Sequence, residues 1–74
     1  MLYHLKFIDA LERAVLAIDI EAADDETAVE LGCAHCVGAD MAVELSDGDR
    51  HVMRMTPMTA RLYLSNGPKP RLTE

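Results

Sequence analysis

The sequence predicts an α+β fold, β-β-α-β-β, with one helix laid across one face of a small, largely antiparallel sheet. Three observations predict it: alternating apolar runs at the amino end, an acid-capped helical segment in the middle, and two short apolar runs around an Asp-Gly turn.

In Tyr3-His4-Leu5-Lys6-Phe7, apolar residues at 3, 5 and 7 alternate with polar His4 and Lys6, the period of a strand with one wet face. The run from Val15 to Glu21 puts Leu16, Ile18 and Ile20 on one side and Ala17, Asp19 and Glu21 on the other, a second strand. A helical spacing of Ile8, Leu11, Val15 and Ile18 competes over 9–18. The hairpin is favoured because β-branched Val15, Ile18 and Ile20 cluster there, although no Asn-Gly or Asp-Gly marks the turn.

Asp24 is placed to cap a helix whose first turn adds Asp25 and Glu26, where negative charge suits the helix dipole. Gly38 offers a left-handed closing residue, so the helix is expected from about Asp25 to Val37. Beyond it, "MAVEL" and "HVMRM" flank Asp47-Gly48 and form a second hairpin. Pro57 is expected to end the last strand. The domain is therefore drawn as 1–56, with 57–74 a partly flexible tail. Within the tail, "ARLYL" at 60–64 is open to three forms: a fifth strand, an arm pairing with a second copy, or a short helix.

Seventy-four residues make one domain. A chain this short buries only about 60% of the surface its unfolded form exposes, so a partner would help it. Only Tyr3, Phe7 and Tyr63 are aromatic, and core volume must come from aliphatic residues and methionine. The net charge of −6 is uneven: residues 1–55 hold four Lys/Arg against twelve Asp/Glu, and residues 56–74 hold three against one. That charge disfavours direct nucleic-acid binding and anionic membranes. The chain shows neither a signal-peptide pattern nor a long apolar run, and a cytoplasmic location is the expectation.

The stretch Gly32-Cys33-Ala34-His35-Cys36 raises a metal or redox site. At about 100° per residue, Ala28, Val29, Gly32, Cys33 and Cys36 share one apolar face, whereas His35 lies about 100° or more from both cysteines. Three ligands from this turn do not converge on a tetrahedral ion, and no second Cys-x-x-Cys follows. Reactive pairs of this kind use the positive end of a helix, and these cysteines lie near the negative end. They are read as core thiols, with no metal and no cofactor expected. A thiol or zinc module remains an alternative.

Asp47-Gly48-Asp49 resembles a calcium loop only in passing, since no carboxylate follows among residues 50–55. Asp24-Asp25-Glu26 is explained by capping. His4 and His51 fall at exposed strand positions, where pairing of the first and fourth strands would bring them together. No nucleophile elbow or phosphate loop is present, so no catalytic residue is assigned and no enzyme activity is expected.

The segments "YHLKFID", "IEAADDETAVELG" and "AVELSDGDRHVMRM" resemble a group of short uncharacterised bacterial proteins with an acidic helix start and a Val-Glu-x-x-Asp-Gly-Asp-Arg hairpin. Many of those carry tryptophan where Ser46 stands. The resemblance spans about Tyr3 to Met55 and implies a compact β-β-α-β-β unit without an activity.

One helix covers one sheet face, leaving the other face and the strand edges in need of protection. The expectation is a small non-enzymatic protein-interaction module, homodimeric through that face or through the tail. Met58, Leu62, Tyr63 and Leu64 are its candidate interface residues. An alternative is an acidic inhibitor or nucleic-acid mimic presenting Asp19, Glu21, Asp24, Asp25, Glu26 and Glu44 to a basic protein groove.

Overall fold

The computed structural model describes residues 1–66. Its elements are β1 (Leu2–Ile8), β2 (Ala14–Glu21), α1 (Asp25–Ala39), β3 (Ala42–Asp47), β4 (Arg50–Met55) and α2 (Pro57–Asn66). The strands form one antiparallel sheet in the order β2-β1-β3-β4. The fold is α+β, as expected, with a second helix beyond the predicted elements.

The first hairpin closes without a glycine because Asp9 does the work of a turn motif. Its Oδ1 accepts from the backbone N–H of Leu11 and of Arg13, each at 2.9 Å, and its own N–H donates to the Arg13 carbonyl. Glu12 takes a positive φ of 63° to complete the reversal. The competing helix over 9–18 does not form. In the second hairpin Gly48 and Asp49 are the central pair. Only Gly48 has a positive φ, 62°, which is the type II′ pattern that matches strand twist.

Asp24 caps α1, its Oδ1 accepting from the Thr27 N–H at 2.8 Å. The carboxy end departs from expectation: Gly38 lies inside the helix, and Asp40 is the left-handed cap, φ 57° and ψ 43°. Aspartate tolerates that conformation better than most side chains, and the Asp40 N–H donates back to the carbonyls of Cys36 and Val37.

The tail expectation also needs correction. Residues 60–64 form neither a fifth strand nor an arm, but part of α2, which packs on α1 with Ala60 fully buried. The packed unit therefore continues past residue 56. Pro57 ends β4 and also starts the helix: Thr56 precedes it, and Thr56 and Thr59 exchange backbone-to-hydroxyl hydrogen bonds across the first turn at 2.9 and 3.4 Å. Of the flexible end expected over 65–74, Ser65 and Asn66 belong to α2, and the rest lies outside the described residues.

The core is a single layer between sheet and helices. Tyr3, Leu5 and Phe7 of β1, Val43 and Leu45 of β3, and Met55 of β4 meet Ala28, Val29, Gly32, Cys33 and Cys36 of α1. Small residues on α1 permit a close approach: a Cβ at Gly32 would stand 3.3 Å from both Leu5 Cδ2 and Met55 Cε. The price in coverage falls on β2, because α1 makes its main contacts with β1, β3, β4 and α2.

Candidate functional site

The two cysteines lie inside this core, unpaired, with Cys33 1% and Cys36 0% exposed. The Cys36 thiol donates to the Met41 carbonyl at 3.0 Å, and Cys33 Sγ lies 3.6 Å from Met55 Sδ. Burial pushes both thiols above their ordinary pKa. His35 points elsewhere: it is exposed, edge-on to Phe7 with ring centroids 6.4 Å apart. Among the described residues no group of three His, Cys, Asp or Glu side chains is placed to hold a metal ion.

His4 and His51 are not brought together, since β3 separates their strands. His4 faces Ser46 of β3, and Ser46 faces His51. His4 instead bonds Asp19 of β2 through Nδ1.

The six acidic residues proposed as a mimic surface divide between two regions. Asp19, Glu21 and Glu44 lie on the sheet face away from the helices, whereas Asp24, Asp25 and Glu26 lie at the start of α1. Several are neutralised locally. Glu44 pairs with Arg54, which also holds Glu12 bidentately at 2.9 Å, and Glu21 pairs with the Met1 amino group at 3.1 Å.

Asp25 belongs to a four-residue cluster that sequence spacing did not reveal. Tyr3 donates its hydroxyl to Asp25 at 2.7 Å, and Arg50 donates both terminal nitrogens to the same carboxylate at 2.9 and 3.0 Å. Arg50 also reaches Asp47 at 3.1 Å. The cluster ties the start of α1 to β1 and to the second hairpin. The Arg50 and Tyr3 hydrogen bonds hold the Asp25 carboxyl down at about 2, and the bond to Asp25 pushes the Tyr3 hydroxyl up to about 12.

The sign of the resulting pH dependence follows from these directions. A depressed carboxyl stabilises the fold above its unfolded value, near 3.8, and that contribution is lost as pH falls toward about 2. The raised phenol stabilises below 10.0, and its contribution is lost as pH rises toward about 12. Urea midpoints measured against pH are expected to fall in both windows. Asp25→Asn should flatten the acid limb and Tyr3→Phe the alkaline one; a D25N acid limb identical to the wild type would contradict the cluster's role.

One exposed apolar surface lies at the β2 edge. Leu16 faces the helix side with Phe7, yet it is 56% exposed, and neighbouring Val15 is 54% exposed. Between β2 and α1 runs an apolar groove of about 370 Å³, lined by Phe7, Leu16, Leu31, Ala34, His35 and Gly38. The α2 residues make a second such surface. Met58 and Leu62 are exposed, Leu64 is less so, and Tyr63 is turned partly into the core.

Sequence reasoning put Leu16, Ile18 and Ile20 on one side of the strand; that side faces the helices, where Ile18 and Ile20 pack partly against the core and Leu16 stays exposed. The relevant signal was available in the one helix expected from about Asp25 to Val37, which is too narrow to roof four strands. Comparison with known proteins yields no match, whether to family models, to curated proteins or to solved structures. No described helix is long and apolar enough to cross a membrane.

Proposed function

We propose that this protein is a small non-enzymatic protein-interaction module that works as a homodimer. The observation that supports it is the uncovered β2 edge, an eight-residue strand with exposed Val15 and Leu16 and with neither lysine nor proline to discourage pairing. An isolated chain with such an edge invites association, and a defined partner is the ordinary way to satisfy it. The sheet face opposite the helices is a weaker candidate than the sequence suggested, because His4–Asp19 and the Glu12–Arg54–Glu44 set give its centre a polar, internally paired surface.

The acidic-mimic reading loses support from the division of its six carboxylates, and the thiol or zinc reading from the burial of Cys33 and Cys36. Direct nucleic-acid binding is disfavoured by the net charge of −6. Sedimentation velocity across the micromolar range tests the proposal. A species of twice the chain mass is expected, and a monomer throughout would refute homodimerisation.

A further inference from the structure

We infer that α2 is a releasable strap: it comes off α1 about a hinge at Thr56 and melts as a unit while the four strands and α1 stay folded, laying open the flank of α1 that it covers. This goes beyond the homodimer reading and does not depend on it.

The two helices are held in different ways. α1 buries Ala28, Val29, Gly32, Cys33 and Cys36. It is also tied down near both ends: Asp25 accepts from Tyr3 of β1 and from Arg50 of β4, and the Cys36 thiol donates to the carbonyl of Met41, just before β3. None of these bonds involves α2. Of residues 57–65, by contrast, only Ala60 is buried; Pro57 and Tyr63 are half-buried, and the other six are exposed. α2 packs chiefly on α1 rather than on the sheet.

The Arg61–Asp40 ion pair between α2 and the end of α1 is 3.7 Å long and joins two exposed side chains, a pairing that contributes little in water. The Thr56–Thr59 bonds close the helix on its own first turn and do not hold it to α1. Ala60 and the half-buried Tyr63 supply the apolar part of the docking, whereas Met58 and Leu62 are exposed and gain nothing from it. Once off α1, a helix of ten residues is too short to persist in water, so undocking and melting are one event. A unit with so few buried side chains opens more readily than the whole fold. The hinge falls where burial stops: Met55 is locked in the core, and Thr56 beside it is exposed. The closed form thus withholds a flank of α1 that the open form offers, and the strap decides when a partner can reach it.

Native-state hydrogen exchange of the full chain, in urea below the unfolding transition, tests this. The amides of 60–65 are expected to share one protection factor, at least about 100-fold below that of the slowest amides of β1 and β3, and one shallow urea slope, since their opening exposes little surface. Protection equal to that of the strands, with the same steep slope, would mean that α2 opens only with the whole fold and overturns the inference. Protection that declines step by step toward Ser65, with the Ala60 and Arg61 amides matching the strands, is end fraying and overturns it too. Ala60→Asp gives a second readout, because a carboxylate at that buried position is relieved only by undocking. The variant is expected to lose protection at 60–65 and to lower strand protection by no more than the factor that protected α2 in the wild type, which is what docking contributes. An A60D chain that unfolds throughout would show that the strap cannot be released alone, and the inference fails.

Discussion

Replacing Leu45 with alanine is expected to remove about 2–5 kcal/mol of stability, the range for deleting a fully buried leucine side chain. Leu45 is 0% exposed and lies on β3, an interior strand, where it faces Leu5 of β1 on one side and Met53 of β4 on the other. Truncation there leaves a void between strands that are held at fixed spacing by their ladders, so collapse around it is limited. A domain of this length has a total stability on the order of 4–11 kcal/mol, scaled from typical values per residue. The single change therefore consumes a large fraction of what holds the chain folded, and L45A is expected to have a measurable unfolded population at ambient temperature. Urea denaturation should show a lower midpoint with an unchanged slope. Leu11→Ala provides the contrast: that residue sits in the first turn, 70% exposed, and its loss should change stability by less than about 0.5 kcal/mol. Equal effects from the two substitutions would mean that the core is not the layer described.

The alternation of Tyr3, Leu5 and Phe7 and of Leu16, Ile18 and Ile20 made the first hairpin legible, because a two-residue period has one physical cause, a pleated strand with unlike faces. The apolar face of α1 was equally legible, and all five residues assigned to it are buried. What could not be read were features set by tertiary reach. Tyr3, Asp25 and Arg50 are 22 and 25 residues apart along the chain, and nothing local distinguishes a carboxylate that serves the helix dipole from one that also binds an arginine across the fold. The second helix was only one of three forms left open at 60–64, for a different reason. Proline at 57 carries two meanings, strand stop and first helical residue, and Thr56 before it favours the second. The β2 edge is a third kind of case: the facing of Leu16 was readable, but its exposure depends on where α1 comes to rest, which packing of small residues against β1, β3 and β4 decides.

Cys33 and Cys36 are expected to react with a thiol reagent at least about a thousandfold more slowly in the native protein than in urea, since a stability of about 4 kcal/mol or more holds them out of reach. Neither sulfur has a path to solvent: both face the sheet from the last turns of α1, beneath Met55 and beside Met41. Burial also disfavours the thiolate, the form that attacks, so access and ionisation act in the same direction. If reaction requires global unfolding, its rate must track global stability. Leu45→Ala, which touches neither cysteine's chemistry, should then accelerate modification of both by about 30- to 4,000-fold, the factor corresponding to 2–5 kcal/mol. The two labelling rates should rise together. Rapid native labelling of one cysteine, unaffected by L45A, would instead mean that the end of α1 opens locally, and would reopen the case for thiol chemistry that burial otherwise closes.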